Sequence, residues 1–108
     1  MIKLIDKYTY RVEWEEEDKV HIAYCLEFPS LKAHGKTPEK ALLESKKVVS
    51  ESVRWLKKDK EPIPEPLSTK KYKGNLTLRV TPDIHRRIAV KALESGVSIN
   101  QYILSKIA

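Results

Sequence analysis

Three polar side chains near the end of the chain alternate in a pattern that could contact nucleic-acid bases. Asn75, Thr77 and Arg79 occupy every second position of a short segment, so in a strand they share one face. Arginine can donate to both acceptors of a guanine edge, asparagine can pair with an adenine edge, and a threonine methyl can contact a thymine methyl. The spacing therefore predicts a polar strand face whose side chains are chemically suited to base edges in the major groove.

A helix N-terminus further along is a second candidate contact. Ser98 is placed to cap a helix, and the backbone N–H groups of Ile99 and Asn100 would have no partner inside that helix. Such groups bind phosphate. Each residue also has an ordinary structural explanation, because Ser98 can simply cap the helix and Arg79 can be solvated. Found together in one arrangement of strand, helix, glycine and helix, these residues favour DNA contact.

One strand and two short helices must position these residues. Leu76, Leu78 and Val80 give the strand an apolar face. Thr81 is placed to cap a first helix, and Gly96 to end it. So short a segment cannot bury a core of its own, and a lone strand leaves its backbone groups unpaired. We therefore predict that residues 74–108 form a homodimer around a two-stranded ribbon. The predicted dimer core consists of Leu76, Leu78, Val80, Ile88, Tyr102 and Ile103.

Charge and composition fit a soluble, DNA-binding protein and equally a soluble basic protein that binds no nucleic acid. The net charge is +6, and residues 74–108 carry five Lys/Arg against two Asp/Glu, which attracts polyanions. Arg86, Arg87 and Lys91 add at most general attraction. Hydrophobic residues make up 41% of the chain, and the one cysteine, Cys25, cannot form an internal disulfide. We expect a cytoplasmic protein without a signal sequence, a transmembrane segment or a membrane partner.

Residues 1–60 predict an antiparallel three-stranded sheet with one helix. Alternating apolar residues indicate strands at 8–14 and 20–26, with a turn at 15–18. A second turn is expected at 28–30, before a short third strand at 31–34 that Gly35 ends. Thr37 and Pro38 begin a helix whose apolar stripe continues to Leu56.

The acidic turn at 15–18 is expected to be a solvated hairpin tip, although attraction to a basic partner is the alternative. Four aromatic side chains are expected to lie mostly in the core: Trp14, Tyr24, Phe28 and Trp55. Residues 61–73 begin with three alternating prolines and are predicted to be a stiff linker.

Two sets of motifs resemble known families. Residues 75–82 and 96–103 resemble the ribbon-helix-helix repressors of bacteria, and the positions of Asn75, Thr77 and Arg79 match the strand residues that this family inserts into the major groove. Residues 10–14, 25–31 and 33–41, with the prolines at 62–66, resemble the HicB antitoxin family. Ser30 stands where that family usually has glycine.

The resemblance implies an α+β fold: an N-terminal partial ribonuclease H-like domain at 1–60, the linker at 61–73, and a ribbon-helix-helix module at 74–108. It further implies that the N-terminal domain neutralises a HicA-type toxin, a ribonuclease that cuts messenger RNA. The C-terminal module would bind operator DNA and repress the operon. Assembly beyond the dimer is left open.

Two alternatives are a stand-alone regulator without a toxin and, less favoured, a ribonuclease H-like nuclease. A two-metal nuclease needs several carboxylates at one point, whereas the acids here are scattered on turns and polar faces. The three histidines lie on different elements, and Cys25 is typical of a small structural residue. We therefore predict no catalytic residue, no metal and no cofactor.

Overall fold

The computed structural model describes residues 3–108 and divides into two compact units. The first unit ends at Tyr72, and the second runs from Lys73 to Ala108. Within the described residues, no helix is both long and apolar enough to cross a membrane.

The first unit contains an antiparallel sheet of three strands in the order β1-β2-β3, followed by a long helix. The predicted α+β arrangement is confirmed at this level. A short 3₁₀ helix, Leu4–Lys7, precedes the sheet. The strands are β1 (Tyr10–Glu15), β2 (Val20–Cys25) and β3 (Phe28–Gly35), and α1 spans Pro38–Lys58.

The turn between β2 and β3 lies earlier than predicted. Cys25 pairs with Phe28, so the turn consists of Leu26 and Glu27, and the expected turn at 28–30 is wrong. Pro29 lies inside β3 instead. An edge strand tolerates proline because some of its N–H groups face away from the ladder, and β3 pairs only with β2.

Helix α1 begins where the sequence predicts. Thr37 is its N-cap, and the Thr37 hydroxyl accepts a hydrogen bond from the Lys40 amide at 3.1 Å. The face of α1 that packs on the sheet is buried and consists of Ala41, Ser45, Val49 and Val53. Val49 and Val53 form the core cluster with Tyr8 and Cys25.

The apolar alternation in the strands does not identify which residues the helix covers. On β2 the buried residues are Ala23 and Cys25, whereas the bulkier Ile22 and Tyr24 are only half-buried. Trp14 is 52% exposed and Trp55 61% exposed, so the expectation that these two lie in the core is wrong. Of the large aromatic side chains, Tyr8 is buried in the core cluster, whereas Trp14 and Trp55 lie outside it.

The proline-rich segment packs on the first unit. Pro66 is buried, and Ile63 lies against the core cluster. The first unit therefore extends to Tyr72 and includes nearly all of the segment predicted to be a linker. A segment without ladder hydrogen bonds can still be held by apolar burial and by bonds to side chains, which the composition alone does not reveal.

Gly35 lies close to the backbone of α1 and carries a testable consequence. A Cβ built there would overlap the backbone nitrogen of Ala41 and lie 2.7 Å from the Lys40 carbonyl carbon. Because backbone atoms cannot move aside cheaply, Gly35→Ala is expected to lower the free energy of unfolding by about 1–3 kcal/mol. Chemical denaturation followed by circular dichroism measures this change. Lys36→Ala, at the exposed neighbouring position, is the control, and equal stability of the two variants would contradict the close packing.

Candidate nucleic-acid and dimerisation surface

The second unit contains the two helices that the sequence predicts. Helix α2 spans Pro82–Glu94, and α3 spans Ile99–Ile107. The Thr81 hydroxyl caps α2 by accepting from the Ile84 amide at 3.3 Å. Ser98 caps α3 in a reciprocal capping box with Gln101, in which both hydrogen bonds measure 3.0 Å.

Gly96 ends α2 in the left-handed conformation, with φ +68°. The Val97 amide bonds back to the Ala92 carbonyl at 3.1 Å, and the Gly96 amide bonds to the Leu93 carbonyl at the same distance. These two bonds define a Schellman motif, which favours glycine at its left-handed position. The predicted helix stop is confirmed.

The segment that carries the predicted DNA-contacting residues is exposed and has no regular secondary structure. Asn75, Thr77 and Arg79 are all solvent-exposed. No strand is assigned at residues 75–80 of the single chain, which differs from the sequence prediction. The physical reason is that a strand is defined by ladder hydrogen bonds, and a lone segment has no partner to form them.

The apolar side chains of this segment are strongly exposed. Leu76 is 93%, Leu78 62% and Val80 40% exposed. In the whole of Lys73–Ala108 only Ala92 is buried. The other predicted dimer-core residues are half-buried: Ile88, Tyr102 and Ile103. A unit with so little burial cannot offset its own conformational entropy, so its apolar surface requires cover from outside the unit.

The second unit exposes further apolar side chains that the sequence analysis did not single out. Val90 is 48% and Leu104 60% exposed. Leu104 precedes Ile107 by three residues, and Ile107 is itself 69% exposed, so the two share a helix face. That spacing is the signal that could have identified Leu104.

The basic face of α2 is engaged within the helix. Asp83 accepts from Arg86 at 3.1 Å and from Arg87 at 2.7 Å. All three side chains are more than half exposed, and exposed pairs of this kind contribute little to stability. This arrangement fits the prediction that these arginines form a solvated face.

Ser98 is occupied as a cap at the N-terminus of α3, where the sequence predicts a phosphate contact. The Ser98 hydroxyl accepts from the Gln101 amide. The amides of Ile99 and Asn100 belong to the first turn, which has no preceding helical carbonyl. Both residues are exposed, so the helix presents these N–H groups and its positive dipole end to solvent.

No group of three or more His, Cys, Asp or Glu side chains within residues 3–108 is arranged to hold a metal ion. Cys25 is buried, and burial raises the pKa of its thiol to about 11. A thiol in that state is a poor nucleophile at neutral pH. The absence of catalysis itself stays a prediction.

The comparisons with known proteins concern the C-terminal half. The model of the HicB family matches residues 58–107, which include the end of α1, the proline-rich segment and both helices of the second unit. The sheet and its HicB-like motifs lie outside this match. Neither the curated proteins nor the solved structures gave a match. By this match, residues 58–107 are similar to the HicB family.

Proposed function

We propose that the chain is an antitoxin that neutralises a HicA-type, mRNA-cleaving toxin and represses its own operon. The observation that carries the proposal is the HicB family match at residues 58–107. Toxin neutralisation is assigned to the first unit, as a partial ribonuclease H-like domain, and operator binding to the second. The chain acts in the cytoplasm by binding and without a reaction of its own.

The DNA-binding part is supported by the exposed surface of the second unit. Pairing of two copies through residues 75–80 would cover Leu76 and Leu78, which are exposed in the single chain. It would also place Asn75, Thr77 and Arg79 of both copies on one face of a ribbon narrow enough for the major groove. The amides of Ile99 and Asn100 would then bind backbone phosphates.

The toxin-binding part is tested on the genes beside the one for this chain, where we expect a small basic protein, by co-expressing that protein with the chain. We expect the chain to restore growth, to co-purify with that protein and to stop its cleavage of messenger RNA. Failure to bind or neutralise the neighbouring protein would overturn the antitoxin assignment, while the DNA-binding assignment would stand or fall with its own test.

The absence of catalysis is tested with the purified chain. Labelled RNA incubated with the chain and Mg²⁺ or Mn²⁺ is expected to stay intact, because a two-metal nuclease needs several converging carboxylates. Turnover that increases with the concentration of the chain would favour the nuclease alternative.

A further inference from the structure

Residues 61–68, here called the strap, are held against the first unit without any regular secondary structure. The chain leaves α1 through a Schellman motif in which Lys60 adopts a left-handed φ of 55° and the Glu61 amide bonds to the Leu56 carbonyl at 2.9 Å. Ile63 then packs on the core cluster, and Pro66 is buried.

Three hydrogen bonds to distant parts of the chain hold the strap. The Tyr8 hydroxyl donates to the Pro64 carbonyl at 2.7 Å, and the Ser68 hydroxyl donates to the Lys7 carbonyl at 2.7 Å. The Leu67 amide donates to the Glu27 carboxylate at 2.9 Å. Prolines supply no amide donors, so the strap depends on these few bonds and on two apolar contacts. A segment held in this way can open without unfolding the sheet.

Glu27 joins three segments through one carboxylate. One of its oxygens accepts from the Thr9 amide at 2.9 Å, and the other accepts from the Leu67 amide and from the Thr9 hydroxyl. Burial alone raises the pKa of this carboxyl, but the N–H donors outweigh burial and hold the pKa below its ordinary value. The titratable groups near it are Tyr8, Tyr10 and Cys25, which are uncharged at neutral pH. The carboxylate is therefore ionised there and accepts charge-assisted bonds.

We propose that the strap is a releasable tether. Its docking depends on the Glu27 carboxylate, and its release lengthens the free chain between the two units. With the strap docked, only residues 69–74 separate it from Asn75, a maximum span of about 20 Å. With the strap released, residues 61–74 are free and span at most about 50 Å. Any partner that engages the Glu27 carboxylate competes with the Leu67 amide, so binding at the first unit and tether length are linked. This proposal holds whether or not the chain acts as an antitoxin or as a repressor.

The test follows the exchange of the Leu67 amide proton with solvent by NMR on the full chain. Glu27→Ala removes both acceptor oxygens and is expected to speed this exchange at least about tenfold, while the amides of α1 stay protected. Glu17→Ala, at the exposed tip of the first hairpin, is the control and leaves the exchange unchanged. Small-angle X-ray scattering is expected to give a larger maximum dimension for Glu27→Ala than for the control.

A second variant keeps the test decisive if Glu27→Ala destabilises the sheet through Thr9. Tyr8→Phe combined with Ser68→Ala removes the other two strap bonds and leaves the Glu27–Thr9 bonds and the ring contact between Tyr8 and Phe28. It is expected to speed Leu67 exchange in the same direction. The proposal of a tether is contradicted if the Leu67 amide proton of the unmodified chain exchanges as fast as that of an exposed loop. It is also overturned if neither folded variant changes the exchange or the maximum dimension.

Discussion

Leu78→Asp is expected to make the chain monomeric and to abolish DNA binding. Leu78 is 62% exposed in the single chain, and the proposed ribbon would bury it beside its copy. The substitution would place two carboxylates near the symmetry axis of an apolar core, where unpaired charges are strongly unfavourable. We expect the dimer dissociation constant to rise at least about 100-fold, measured by analytical ultracentrifugation. Since Ala92 is the one buried residue of Lys73–Ala108, α2 and α3 should also lose helicity in the monomer.

Thr77→Asp is the matched control for this prediction. It introduces the same charge one position earlier, on the opposite face of the proposed strand. We expect it to weaken DNA binding, because a carboxylate would face the phosphates, and to leave the dimer intact. If Thr77→Asp dissociates the dimer and Leu78→Asp does not, Thr77 and not Leu78 faces the dimer core, which would contradict the proposal.

Arg79→Ala is expected to weaken operator binding and to leave toxin neutralisation unchanged. Arg79 is exposed on the segment at 75–80, where the proposed ribbon would direct it to base edges. Loss of a bidentate contact to guanine corresponds to about 1–3 kcal/mol, or about 5- to 150-fold in affinity. Fluorescence anisotropy with DNA from upstream of the operon measures the change at fixed salt concentration, since affinity for DNA depends steeply on salt.

Arg86→Ala removes the same charge from α2, where Arg86 pairs with Asp83 at 3.1 Å. We expect only a small effect that is independent of DNA sequence. Equal losses of affinity for DNA in Arg79→Ala and Arg86→Ala would mean that Arg79 acts through its charge alone. A loss of toxin neutralisation in Arg79→Ala would contradict the proposed division of work between the two units.

Local sequence patterns predict the helix ends correctly. The caps Thr37, Thr81 and Ser98 and the left-handed Gly96 all lie where the pattern places them. Helix ends are readable because a cap acts on backbone groups within three or four residues. The predicted DNA-contacting residues lie in two short segments, 75–79 and 98–100, and the structure leaves all of them exposed.

Errors arose where a choice depended on contacts distant in sequence. The alternation around Tyr24 indicates a strand but not which face α1 covers, and the structure buries Ala23 and Cys25 instead. Trp14 and Trp55 are apolar enough for a core, yet the core cluster is formed by Tyr8, Cys25, Val49 and Val53. Burial of a residue depends on what packs against it, and that partner is not encoded in the local pattern.

The sequence by itself determined the helices, their caps, the three-stranded order of the first unit and the amphipathic segment at 75–80. Each depends on interactions within a few residues or on a short periodic pattern. The tertiary structure alone decided that residues 61–68 dock on the first unit, because Tyr8 and Glu27 reach the strap from segments 56 and 40 residues away in the chain. No local rule connects a carboxylate in a β-turn with an amide beyond a proline-rich stretch, and only the folded chain brings them to 2.9 Å.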